Sequence, residues 1–318
     1  MTVTPLGAPT HLIVGPSSHG VTRYALELAE ACGAPVIREE SFGSGELPPF
    51  VHVTFTDHLF GPSPNAAADA LLARVGENRL SLSVHDIPQP EEGADRYARR
   101  AGTYERLARA AIDSGGVAVV NSEHEAAFFG DIPVSAIRLP IPVIDSPFES
   151  EPGTVGILGF LYPGKGHEGI IDALRGSDYR LRFLGRVSEG HEEWARGLAD
   201  HAEITGWLSD ADLAAEIGRI QVPVCAHKHF SASGSLMTWL GAGRHVLASD
   251  SAYTQEIDAW LPGRITRVAD GQWRTAIDAF AASPPPPLDP PRYGWSDVAA
   301  QWTAQWAALW NAPRNEAP

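Results

Sequence analysis

The chain has little sulfur and little positive charge. Only two cysteines occur in 318 residues, Cys32 and Cys225, both in apolar surroundings. That excludes a disulfide-stapled scaffold and suits buried thiols in a reducing compartment. No Cys/His spacing resembles a zinc site, so no metal is expected. Lysine and arginine number 24 against 39 acidic residues, for a formal charge of −15. Such a surface repels nucleic acid and anionic membrane, so an anionic ligand must be met by local positive groups. No stretch reaches the ~18 continuous apolar residues of a membrane span. The start, MTVTPLGAPT, has neither the basic end nor the apolar run of a secretory signal, and a cytoplasmic location is expected. The G-x-G-x-x-G dinucleotide fingerprint is missing, and so is a P-loop.

What is present is alternation. Strand-like runs fall at His11–Gly15, Val36-Ile37, Val51–Phe55, Leu80–Val84 and Val117–Val120. Helix-like segments lie between them, at Val21–Cys32, Asn65–Val75 and Asp95–Asp113, with a short one after Asn121-Ser122. Between Arg138 and Gly153, LPIPVIDSPFESEPG loses periodicity and carries four prolines, the signature of a linker. The alternation then restarts, with strands at Val155–Gly159, Leu181–Leu184, Glu203–Thr205 and Ile220–Cys225. Helices are predicted at His167–Leu174, Glu192–Ala199 and Asp210–Ile217. The predicted fold class is α/β: two domains, each a parallel sheet covered by helices on both faces, facing across a cleft. The expected domains are 1–145 and 146–290. The last segment, 291–318, is a helix expected to cross back to the first domain. There Trp302, Trp306 and Trp310, four residues apart, share one face and suit a hydrophobic groove. Pro284–Pro287 reads as an extended segment.

Four places could carry chemistry, and each has a plainer reading. After the apolar run ending at Cys225 comes a polar loop with Ser231, Ser233, Gly234 and Ser235, then a helix from about Leu236 to Ala242. Serines cap helices, and the free N–H groups at a helix start suit phosphate. The plain alternative is an ordinary strand–loop–helix crossover. Gly15-Pro16-Ser17-Ser18-His19-Gly20 lies between the first strand and first helix, where backbone N–H groups commonly face a phosphate. Ser83-Val84-His85-Asp86 ends a buried strand; the histidine is either a hydrogen-bond donor and proton-transfer group or a structural strand end. His52 and His58 bracket Val53–Asp57 in a similar way. Finally, Gly159 to His167 (GFLYPGKGH) is a glycine-rich turn with one lysine, and Arg186 ends the next strand. Lys165 and Arg186 could neutralise a diphosphate together, or each could be solvated.

In this order the motifs resemble glycosyltransferase family 4, retaining enzymes of the two-domain GT-B architecture. The resemblance rests on Ser18-His19-Gly20 before the helix VTRYALELA, on Val84-His85-Asp86, and on Asn121-Ser122-Glu123. In the second half it rests on Gly159 to Lys165-Gly166, Phe183-Leu184-Gly185, Ile204-Thr205-Gly206, GAGRHVLASD and Glu256. Two departures stand out. The family's paired glutamates fall on Phe230 and Thr238, and its arginine before the lysine–glycine turn falls on Phe160.

The resemblance implies a hexosyltransferase that uses a nucleotide-sugar donor, with uridine expected, and no further cofactor. The acceptor would be a small molecule or glycan. Base contacts are implied at Gly206 and Trp207. The diphosphate would meet Gly159, Lys165, Arg186 and the helix start at Ser231, Ser233, Gly234, Ser235 and Leu236, with Thr238 offering its hydroxyl to the ribose. His85, Lys165 and Arg186 would be catalytic. Ser18, His19, Gly20, His85, Asp86, Asn121 and Ser122 would face the acceptor, brought in by hinge closure. Without the paired glutamates, an inactive binding scaffold or a sugar-nucleotide epimerase of the same architecture stays open.

Overall fold

The computed structural model describes residues 8–311. They form two compact units, residues 8–140 with 293–311 and residues 141–292. In the N-terminal unit β1 (Thr10–Val14), α1 (Gly20–Ala31), β2 (Val36–Glu39) and β3 (Phe50–Phe55) come first. α2 (Asp57–Phe60), α3 (Pro64–Val75), β4 (Arg79–Val84), α4 (Ala94–Asp113), β5 (Val117–Val120), α5 (Glu123–Ala126) and β6 (Ser135–Ala136) follow. The sheet is parallel throughout, in the order β2-β1-β3-β4-β5-β6. All six residues of β3 are buried, as expected of a strand covered on both faces. One core layer is made by Val51, Val53, Phe55, Leu80, Leu82 and Leu107.

The C-terminal unit runs β7 (Glu151–Leu158), α6 (His167–Ala173), β8 (Arg180–Leu184), α7 (Glu192–Arg196), β9 (Ala202–Ile204), α8 (Asp210–Arg219) and β10 (Ile220–Cys225). It continues with α9 (Gly234–Gly241), β11 (Val246–Ser249), α10 (Ala252–Trp260), β12 (Ile265–Val268) and α11 (Trp273–Ala282). Its parallel order is β12-β11-β10-β7-β8-β9. The chain leaves β7 toward β8 on one side and reaches β10 on the other. The carboxyl ends of β7 and β10 therefore frame a topological switch point, where α/β sheets take ligands. The proline-rich stretch is shorter than its composition suggests, because β7 already begins at Glu151. It packs down on its own unit: the Pro142 and Pro147 carbonyls lie where side chains at Gly241 and Gly218 would sit.

The final helix, α12 (Trp295–Asn311), returns to the N-terminal unit. Val298, Trp302 and Trp306 are buried with Tyr24, Leu28, Phe50, Val117 and Ile137, and the Trp306 indole donates to Ser81 Oγ at 2.9 Å. The Trp310 side chain lies outside the described residues. Of the two thiols, Cys225 is buried and Cys32 only partly so, a correction to the expectation that both are enclosed. Among the described residues no helix is long and apolar enough to cross a membrane.

Candidate functional site

In the C-terminal unit the elements after β7 and β10 converge on one amine. Gly159 and Gly166 hold φ of 104° and 78°, values an L-residue rarely adopts. A side chain at Gly166 would strike the Ala226 carbonyl, and the Lys228 amide donates to Gly164 at 2.9 Å. The turn is thereby fastened to the strand end after β10. A methyl group on Gly159 would collide with Lys165 Nζ and stand 3.5 Å from Ser235 Cβ. So Lys165 is folded back over Gly159 toward the start of α9 and is only 5% exposed. Its ammonium has no carboxylate partner among the described residues, and burial pushes its pKa down to about 8.

The start of α9 is built by a serine. Ser233, 3% exposed, accepts the Leu236 amide at 3.2 Å and contacts Ser235 Oγ at 3.2 Å. Its own amide donates to the Tyr253 hydroxyl at 3.1 Å. That leaves the Gly234 and Ser235 amides, at an exposed turn, without an acceptor among the described residues. Thr238 donates its hydroxyl to the Gly234 carbonyl at 2.9 Å. Phe230 is buried against His227 and Tyr253, ring centroids 4.8 and 5.2 Å away. Ser231 sits partly buried beside Ala232, whose φ is 26°.

Arg186 packs on aromatic rings. It is exposed, its guanidinium over the rings of Phe160 at 5.0 Å and Trp207 at 5.4 Å. The ring quadrupoles attract the cation there. Trp207 is 63% exposed, at the end of a turn in which Gly206 has φ of 72°. Arg186, Phe160 and Trp207 thus make an exposed cation–aromatic face.

In the N-terminal unit the register of β3 on β4 sets Phe55 beside Val84. It places Thr56-Asp57 and His85-Asp86 at adjacent strand ends, with Asn121-Ser122 following β5. His85 is 8% exposed and both ring nitrogens are engaged: Nε2 with Ser83 Oγ at 3.1 Å, Nδ1 with the Asn121 amide at 3.4 Å. Burial lowers its pKa to about 4, against the opposing pull of Asp86. Ser122 caps α5 by accepting the Glu125 amide at 3.1 Å, and His19 caps α1 by accepting the Val21 amide at 3.2 Å. Ser18 and Gly20 are exposed.

No family model matches the chain, and no curated protein matches it in sequence. Solved structures do match in shape. Sucrose-phosphate synthase from Thermosynechococcus elongatus superposes with a TM-score of 0.67 at 14% identity, over 96% of this chain and 95% of that one. Anabaena HepE in complex with UDP-glucose gives 0.64 at 13%, over 94% and 99%. AviGT4, a glycosyltransferase of avilamycin A biosynthesis, gives 0.59 at 15%, over 96% and 98%. The fold is that of the GT-B glycosyltransferases. At such identities the likeness carries the fold, and the chemistry must come from the residues themselves.

Three residues outside the sequence-predicted set belong to these surroundings. His227 Nδ1 lies 3.1 Å from Cys225 Sγ, which in turn lies 3.7 Å from Ser233 Oγ. Its signal was there to read, two positions after the strand end. Arg38 binds the Gly15 carbonyl and the Ser17 hydroxyl, and Arg100 binds Asp57, Glu92 and Asp86; both act on loops distant in sequence. The cradle also makes a direct prediction. Gly159→Ala must displace Lys165 and accept an unfavourable φ, at about 1–3 kcal/mol, so the melting temperature should fall by about 2 °C or more. An unchanged melting temperature would show that Lys165 is not packed against Gly159.

Proposed function

We propose that the chain is a retaining hexosyltransferase, taking sugar from a nucleotide-diphosphate donor, with uridine the expected base, to the hydroxyl of a small-molecule or glycan acceptor. The observation that carries this reading is Lys165: a buried ammonium without a counter-ion, beside a close-packed glycine and a helix start with two open amides. A protein of net charge −15 leaves a cation so unpaired at a strand end where an anion completes it. As the glycosidic bond to the diphosphate breaks, negative charge grows on the leaving oxygens. An ammonium and oriented N–H groups held there in advance stabilise that charge without metal. The base belongs on the Trp207–Arg186 face and the ribose near Thr238. The acceptor belongs to the N-terminal unit, around Ser18, His85 and Asp86. HepE bound to UDP and glucose, and a pneumococcal O-GlcNAc transferase bound to UDP and GlcNAc, support the donor class on a shared fold.

A second reading, a binding scaffold without turnover, is favoured by one observation: Phe230 is sealed against aromatic rings where the resembled family places a carboxylate. One experiment addresses both. Melting is followed with UDP-, GDP-, ADP- and TDP-sugars, and each stabilising donor is then incubated with and without candidate acceptors. At a hundredfold excess over Kd, a true donor should add about 2.7 kcal/mol of stability. Transfer supports the proposal. Binding with no turnover supports the scaffold, conversion of the donor alone supports an epimerase, and no stabilisation by any donor refutes all three.

A further inference from the structure

We propose that Arg100 is a positioning residue that holds Asp86 in a left-handed turn, so that the Asp86 carboxylate, rather than the His85 imidazole, meets the acceptor hydroxyl. This rests on the transferase reading given above. Asp86 has φ of 53°, and with Ala232 it is one of two non-glycine residues at positive φ among the described residues. Side-chain-bearing residues stay in that region only where their surroundings impose it. The imposing contacts come from both sides. Thr56, fully buried, donates its hydroxyl to Asp86 Oδ2 at 2.8 Å. Arg100, 6% exposed, donates Nη2 to the Asp86 carbonyl at 2.8 Å.

Arg100 is itself fixed. Its Nε and Nη2 donate to Asp57 at 2.9 and 3.2 Å, and its Nη1 meets both Glu92 oxygens at 2.6 Å. Nη2 also reaches the Tyr104 hydroxyl at 3.3 Å. Such a bidentate anchor on two carboxylates gives a rigid frame, which a flexible point charge does not. The outcome is a contrast between neighbours. His85 is enclosed, and both its ring nitrogens are used inside the protein. Asp86 is exposed, with one carboxylate oxygen, Oδ1, bonded to nothing among the described residues. A carboxylate accepts hydrogen bonds only, so its natural partner is a hydroxyl of the incoming substrate. The role is orientation, and no proton passes to Asp86.

Asparagine at this position keeps an oxygen for Thr56 and tolerates the left-handed region, while removing the charge. Asp86→Asn should therefore melt no lower than the parent, bind the donor equally, and transfer at least tenfold more slowly at limiting acceptor. Arg100→Lys, and the milder Thr56→Val, should each move the Asp86 amide and His85 imidazole resonances. Both should raise the acceptor KM with donor binding unchanged, which a merely structural role would not do selectively. Transfer by Asp86→Asn at the parental rate overturns the proposal. So do Arg100→Lys and Thr56→Val variants that both leave the Asp86 resonance in place. A parent protein that binds no nucleotide sugar instead overturns the transferase reading, while the resonances still report on the turn.

Discussion

On the transferase reading, replacing Lys165 by methionine should cut turnover about a hundredfold or more and make the protein more stable. The first effect follows from the leaving group: removing one preorganised cation from a developing charge costs on the order of a hundredfold or more in rate. The second follows from burial. Desolvation takes the ammonium from 10.5 to about 8, which makes it a liability to the folded state. The sign is that of a depressed amine. The folded protein releases the proton more readily than the unfolded chain, so the penalty is full below pH 8 and fades between pH 8 and 10.5. At pH 7 it amounts to about 3 kcal/mol. Methionine has nearly the same length and no charge to desolvate, so the variant should gain much of that. The gain should shrink as pH rises toward 10.5. Anion binding reverses the balance by supplying the missing partner. Nucleotide affinity of the parent should accordingly weaken as pH climbs through 8, and that of the variant should not. Denaturant titrations at pH 7 and 10, with UDP titrations alongside, measure all of this. A variant that keeps its turnover, or is less stable at pH 7, contradicts the assignment of Lys165.

Much of this architecture is readable from pattern because a parallel sheet covered on both faces forces its strands into continuous apolar runs. Val117–Val120 and Ile220–Cys225 match to the residue, and α4 begins one residue ahead of its predicted start. Elements one turn or two residues long, α2 and β6, carry no period to detect. The stretch holding α10, β12 and α11 lies beyond the last of the predicted strands and helices of the second domain. At the site, the amine and the serine cap are local features, since a lysine–glycine turn and a serine before an apolar helix work within a few residues. Which of Ser231, Ser233 and Ser235 caps α9 depends on where the first free amide falls, and the structure selects Ser233. Arg186 shows the limit. Its place at a strand end is legible, but the partners that draw it, Phe160 and Trp207, come from two other loops. The cap made by His19, whose Nδ1 accepts the Val21 amide, is a local feature that a loop reading does not single out.

Acid should unfold the protein well above the pH at which carboxyl groups titrate. Five histidines are buried and held neutral. Burial takes His11 and His167 to about 3 and His85 to about 4, and it drives His52 and His227 well below their usual range. His11 and His52 sit with ring centroids 4.4 Å apart, walled by Trp302 and Trp306, so each also resists charge on the other. His167 is enclosed by Phe183 and Trp194. The folded state must therefore exclude protons that the unfolded chain takes up at about 6.5. Stability is complete above pH 6.5 and falls with decreasing pH toward the folded values, the reverse of a histidine that gains an acidic partner. One such group costs about 2 kcal/mol by pH 5. Three acting together, at about 6 kcal/mol, reach the lower end of a domain's whole margin, roughly 5–15 kcal/mol. The melting temperature should hold level from pH 8 to 7 and drop by about 10 °C or more by pH 5. His52→Asn and His167→Phe should each flatten part of that fall, because neither side chain can take up the proton. Calorimetry across this range provides the measurement. A curve that stays level to pH 5 means these rings find solvent or acidic partners in the folded protein.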